Sequence, residues 1–258
     1  MKKIMIVLLV FMLTLFGVSV YAHFSKNDNK TAVSTPQPSA EIQPTPSASA
    51  EPTPTPTAAI DFSDTSSILV CANKKHALPD GYAPSDLRAP AVYTTTTSWT
   101  LRDEAATALE TMFNAAKEDG IALLLGSAYR SYDYQASLYN GYVANRGKEY
   151  ADTISSRPGY SDHQTGLAVD ISDASQANFL SQSFENTAEG QWLHDNAHLY
   201  GWIMRYPKDK QDITGYAYEP WHFRYVGVEY ATAIYETDPD ETFEEYFGVE
   251  GGDYAENG

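Results

Sequence analysis

Apolar positions along the chain fall into three regimes. Ile4 to Val20 is a nearly continuous apolar run, whereas Ser34 to Thr57 consists almost entirely of Pro, Thr, Ser, Ala and Glu. From about residue 100 onward, short segments of helical and strand period alternate. Leu101, Ala105, Leu109, Met112, Phe113 and Ala116 recur at helical spacing, and Gly120 closes that helix. Ile121 to Leu125 is a short apolar run suited to a buried strand. Gln135, Leu138, Tyr139 and Tyr142 then return to helical spacing, so Arg130 falls on a strand-to-helix connection. Further on, Leu167–Ile171, Trp202–Arg205 and Trp221–Val226 read as strands. Gly190–Tyr200, ended by Gly201, and Val228–Tyr235 read as helices. No repeat is evident, and the mixture predicts an α+β domain with a small, mainly antiparallel sheet flanked by helices.

The two ends have a different character. Met1, Lys2 and Lys3 precede the apolar run, and Val20-Tyr21-Ala22 offers small residues for a signal peptidase, so residues 1–22 read as an export leader. The run also approaches the length that spans a bilayer, which leaves an N-terminal membrane anchor as the alternative. Residues 23–60 lack the apolar surface to offset the entropy of ordering and read as an extended tether. The folded domain is expected over 61–236. Glu236 to Gly258 carries nine acidic residues and no Lys or Arg, so 237–258 reads as a solvated acidic tail.

Charge and cysteine content narrow the function classes. The formal charge is −17, and −19 without Lys2 and Lys3, a field that repels polyanions and argues against nucleic-acid binding. Cys71 is the single cysteine, so an internal disulfide is excluded and the exported domain must rest on its apolar core or on a metal. Cys71 itself reads as a small buried apolar residue.

Metal-ligand chemistry converges in two segments. SDHQTGLAVDIS sets His163 and Asp170 seven residues apart, with Gly166 where a turn can fold the chain back and a following strand that can present Asp170 inward. EPWHFRYVG supplies His222, with Glu219 three residues earlier and Pro220 opposing a helix through the stretch. Two imidazoles and one carboxylate leave the fourth corner of a tetrahedral Zn2+ for water, as in a catalytic rather than a structural site. Zinc brings the pKa of such a water to about 7, and a nearby carboxylate, Glu219, is a competent general base. HDNAH also places His194 and His198 four apart on a predicted helix, a spacing that can present two ligands. Asp195 reaches less far than the Glu of HExxH, and this segment reads as a solvated helix face.

SAYRSYDYQASLY, SDHQTGLAVDIS and EPWHFRYVG, in that order, resemble the signature blocks of the VanY-type D-alanyl-D-alanine carboxypeptidases and their LdcB-like L,D-carboxypeptidase relatives. LVCANKKHALPDGYAPSDL is similar to the family's entry segment, and the likeness covers Ile68 to Tyr235. The resemblance implies that His163, Asp170 and His222 bind zinc and that Glu219 is the base. It sets Arg130 against the negative charge of the substrate, either as a fork on the terminal carboxylate or as a donor to the developing oxyanion. Ser161 and Gln135 are the further substrate-contact candidates, each with a backbone-capping role as its alternative. Tyr129, Tyr132, Tyr134, Tyr139 and Tyr142 cluster near Arg130 and suit either a groove or the core. Trp221 is expected to pack away from the face bearing His222.

With the leader and tether, the resemblance implies an enzyme outside the cytoplasm, secreted or anchored at the cell wall, and a monomer is expected. It would remove C-terminal D-alanine from peptidoglycan stem peptides, L,D on tetrapeptides or D,D on pentapeptides. An endopeptidase of wall cross-links and a non-catalytic wall-binding module of the same fold are the alternatives; retention of the ligand types, Glu219 and Arg130 speaks against the second.

Overall fold

A computed structural model of the chain describes residues 59–255, so the leader and nearly all of the tether lie outside the described residues. Leu87–Arg88 (β1) and Leu101–Arg102 (β2) pair antiparallel ahead of the first helix, Asp103–Glu118 (α1). That helix buries Ala105, Leu109, Met112, Phe113 and Ala116, the positions whose 3.6-residue recurrence predicts it. Asp103 and Glu104 occupy its first turn and Lys117 its last, each sign favourable at its end of the helix dipole.

Leu123–Ser127 (β3) leads into Tyr132–Arg146 (α2), whose cap, the Ser131 hydroxyl, accepts from the Tyr134 amide. Lys148–Ile154 (α3) follows, then Ala168–Asp173 (β4), Ala188–Asn196 (α4) and Trp202–Met204 (β5). Gln211–Thr214 (α5), His222–Tyr225 (β6), Val228–Thr237 (α6) and Phe243–Phe247 (α7) complete the chain. Observed elements match the expected ones within a few residues. The expected helix over 190–200 is split, with a 3-10 turn at Ala197–Tyr200 after α4. The β1–β2 pair, α3, α5 and α7 had no expected counterpart.

Four strands form an antiparallel sheet in the order β3-β4-β6-β5. β4 is buried along its whole length, and its Val169 and Ile171 join Leu109, Met112, Trp202 and Phe223 in the main core. A smaller core beneath α6 and α7 holds Leu69, Cys71, Ile203, Val226, Ile234 and Phe243. Cys71 is buried there as expected, and burial pushes its thiol up to about 12.

One expectation is corrected. The region after residue 237 is not a solvated acidic tail, because much of it docks onto the domain. Phe62 meets Phe243 and Phe247 edge-on, at ring separations of 5.8 and 5.3 Å. The acidic groups find cations: Glu244 pairs with buried Arg205, Glu245 with Lys210 at 2.8 Å and Asp253 with Lys74 at 2.9 Å. A capping box between Thr242 and Glu245 starts α7. Aromatic burial and complementary charge outweigh the polar composition, and the folded region continues past 236. Among the described residues, no helix is long and apolar enough to cross a membrane.

Candidate active site

The sheet sets the geometry of the site. Asp170 and His222 are directly opposed partners in the β4–β6 ladder, so backbone register alone brings their side chains together. His163 arrives from the other direction, on a 3-10 turn at Asp162–Thr165 that immediately precedes β4. Gly166 ends that turn at φ +71°, where a Cβ would come within 3.0 Å of the Leu87 side chain and a left-handed backbone disfavours other residues. It is this reversal that lets two residues seven apart face each other.

Ligand-type atoms of His163, Asp170 and His222 all lie within 4.8 Å of one another, and all three residues are buried. Asp170 Oδ1 is 3.3 Å from His163 Nε2 and 3.4 Å from His222 Nδ1. His163 Nδ1 donates to the Ala128 carbonyl at 2.8 Å, which directs the Nε2 lone pair at the cluster. Asp170 Oδ1 is buried without a hydrogen-bond partner. An unpartnered carboxylate oxygen set between two imidazole nitrogens calls for positive charge, and the donor set fits zinc.

The electrostatics express the same demand. Burial would raise the Asp170 carboxyl, but His163 and Arg130 outweigh it and hold it well below the usual carboxylate range. Burial, with the charge of Arg130, brings His163 down to about 4. Burial also opposes charge on His222, yet the nearby carboxylates of Asp162, Glu219 and Asp170 push it up to about 9.

Glu219 stands beside this cluster, with Oε2 3.4 Å from His222 Nδ1. Its backbone is pinned on both sides: its amide donates to the Tyr206 carbonyl at 3.0 Å and its carbonyl accepts from the His222 amide at 3.1 Å. Burial raises its carboxyl, against the lowering effect of His222, a direction that favours holding a proton. Arg130 reaches in from the β3–α2 connection and donates from Nη2 to Asp170 Oδ2 at 2.6 Å and to His163 Nε2 at 2.8 Å. Its Nε donates to the Ser127 hydroxyl at 3.2 Å, just after the irregularity in the β3–β4 register.

These groups line a cavity of about 390 Å³, together with Ser161, Tyr134, Tyr142, Phe179 and Leu180. Phe179 lies directly over Gly126, where any Cβ would come within 2.2 Å of its ring. Gln135 is not at the cavity wall. It is fully buried, its amide donates to Ser155 Oγ at 3.1 Å and the Ser156 carbonyl at 2.8 Å, and its Oε1 accepts from Arg130 at 3.5 Å. Gln135 therefore braces the α3 end and Arg130 instead of facing substrate. Of the clustered tyrosines, Tyr134 and Tyr142 line the cavity, whereas Tyr139 is buried and donates to Asp152 at 2.7 Å. Trp221 packs in the main core but also lines the cavity beside His222, so it is not turned wholly away from that face.

Sequence reasoning missed Asp162. Its carboxylate is fully buried, paired with Arg224, and its Oδ2 lies 3.6 Å from His222 Nε2, the nitrogen turned away from the cluster. Arg224, His222 and Arg205 overcome the burial penalty and keep this carboxyl well below the ordinary range. Its position next to His163 in the sequence was the available signal.

The comparisons with known proteins agree with this arrangement. The family model described as VanY, D-alanyl-D-alanine carboxypeptidase, matches residues 98–228. YodJ of Bacillus subtilis (strain 168) is 49% identical over 185 residues, 70% of this chain and 67% of YodJ. The chain spans between 40 and 67% of the length of the curated relatives it matches. Among solved structures, the LdcB LD-carboxypeptidase aligns with a TM-score of 0.66 at 45% identity, over 72% of this chain and 87% of that one. A mutant of the vancomycin-resistance D,D-pentapeptidase VanY, solved in complex with Zn(II), aligns with a TM-score of 0.58 at 31% identity, over 72% and 99%. By its signature blocks, its sheet and its matched span, the chain belongs to the VanY family of D-alanyl-D-alanine carboxypeptidases.

Proposed function

We propose that this protein is a zinc carboxypeptidase that releases D-alanine from the C-terminus of peptidoglycan stem peptides. The observation that carries the reading is the meeting of His163, Asp170 and His222 in one buried cluster at the floor of a cavity that also holds Glu219 and Arg130. Zinc held by these three side chains would supply Lewis acidity toward a carbonyl oxygen and bring the pKa of water to about 7.

This chain's own residues carry the rest. Glu219, held in a water-poor niche 3.4 Å from His222, takes the proton of the attacking water and returns it to the departing amine of D-alanine. Arg130 offers a fixed guanidinium to the negative charge that grows on the carbonyl oxygen, its Nε anchored on Ser127. Ser161, buried at the cavity wall, orients the peptide. Tyr134, Tyr142 and Leu180 give the stem peptide an apolar wall on which to lie.

L,D-cleavage of tetrapeptides is the favoured specificity; it is supported by the 45% identity to the LdcB LD-carboxypeptidase, against 31% for the D,D-pentapeptidase. Action on such peptides sets the enzyme outside the cytoplasm, at the wall, reached through the leader and tether read in residues 1–60.

Defined tetra- and pentapeptides and cross-linked dimers, incubated with the zinc-loaded protein and followed by mass spectrometry, test the reading. Loss of one alanine from the tetrapeptide is expected. Cleavage of the dimers with both single peptides intact would replace the carboxypeptidase with an endopeptidase. Glu219→Gln should keep stoichiometric zinc and lose D-alanine release by about 10²–10⁴-fold, the contribution typical of a positioned acid-base group; retained turnover removes Glu219 from its role.

A further inference from the structure

We infer that Glu244, in the C-terminal helix α7, is a positioning residue for the metal ligand His222 and acts on it through Arg205 and Asp162. The inference rests on the reading of His163, Asp170 and His222 as a zinc site.

Three buried polar atoms in this part of the molecule have no hydrogen-bond partner: Arg205 Nε, Asp162 Oδ2 and His222 Nε2. They are not scattered. Asp162 Oδ2 lies 3.8 Å from Arg205 Nε and 3.6 Å from His222 Nε2, so one carboxylate oxygen sits between two N–H groups, each a few tenths of an ångström beyond bonding distance. Unpartnered buried donors and acceptors are rare because each retains its desolvation cost. A small closing movement satisfies all three at once, with His222 Nε2–H and Arg205 Nε–H both donating to Oδ2. That fixes the His222 tautomer, leaves its Nδ1 lone pair facing Asp170, and raises its basicity as a ligand.

What aims Arg205 is Glu244. The two are fully buried and joined by a two-pronged bridge, Nη1 to Oε2 at 2.7 Å and Nη2 to Oε1 at 2.6 Å. Asn73 steadies the same carboxylate, donating to Oε1 at 2.9 Å. With its fork occupied, Arg205 can offer Asp162 only its Nε. The other oxygen of Asp162 is taken by Arg224, which is itself held by the carbonyls of Ile68, Val70 and Tyr225. Without the Glu244 charge, the Arg205 fork would turn on Asp162 and compete with His222 for Oδ2. Glu244 and Asn73 lie outside residues 98–228, so this control reaches the site from beyond the span that the family model matches.

The test uses the full chain and compares Glu244→Gln with Phe247→Ala, which loosens the same helix without touching Arg205. Zinc affinity is measured by chelator competition, and kcat and KM on the tetrapeptide. E244Q is expected to bind zinc at least tenfold more weakly, as loss of an outer-shell partner typically does, and to lose kcat with KM little changed. F247A should lower the melting temperature but keep wild-type zinc affinity. Equal zinc affinity in E244Q and F247A overturns the inference. Should E244Q not fold, Glu244→Asp, with the charge drawn back by one methylene, replaces it: affinity below that of F247A supports the role and parity overturns it. A wild-type chain that binds no zinc would instead sink the metal site itself, and this inference with it.

Discussion

The molecule contains two pairs of histidines, and they occupy opposite kinds of environment. His194 and His198 are four residues apart, the spacing that on a continuous helix puts two imidazoles side by side. His163 and His222 are far apart in the chain, yet their rings lie 4.7 Å from one another. Helix α4 ends at Asn196, between the first two, and the backbone tightens into a 3-10 turn that carries His198. His194 bonds to its neighbour Asp195 at 2.9 Å, and His198 stacks on Tyr235 at 3.7 Å. Local spacing thus offers a metal site whose two imidazoles are each engaged elsewhere, while sheet register and a glycine reversal build one from distant parts.

Substitutions can break or sharpen this contrast. The largest effect is expected at the sheet pair: Asp170→Ala or His222→Ala should abolish stoichiometric zinc, seen by elemental analysis, and bring D-alanine release to background. Arg130→Ala comes next, with zinc retained and kcat lowered about 10²–10³-fold, the usual cost of one lost oxyanion donor. Removing zinc with a chelator should lower the melting temperature, and a loaded site at a thousandfold excess over its Kd stabilises by about 4 kcal/mol. His198→Ala should leave zinc and turnover unchanged and cost about 1 kcal/mol in urea unfolding through the lost ring stack. His194→Ala, at a half-buried surface position, should change stability by less than about 0.5 kcal/mol. Zinc loss in the H194A or H198A protein would erase the contrast.

Much of the fold and of the site was legible because the signals were local or periodic. Hydrophobic recurrence located α1, α2, β4 and β6, and Gly166 announced the reversal between His163 and Asp170. What was not legible depended on tertiary neighbours. Gln135 has the right spacing to stand one turn beyond Arg130, and nothing in the sequence tells that its amide is spent on Ser155 and Ser156. Asp162 and Glu244 look like surface carboxylates until Arg224 and Arg205, themselves fully buried, are seen to require them. Acidic composition concealed α7, although Thr242 and Glu245 with Phe243 and Phe247 form a capping-box pattern that could have revealed it.

Cys71 gives the C-terminal part of the domain its own reporter. A lone thiol sealed under α6 and α7, and held protonated by its surroundings, is inert to alkylating reagents while that layer stays shut. Labelling kinetics at this single sulfur would therefore clock how often the layer breathes, without a probe having to be introduced anywhere in the chain.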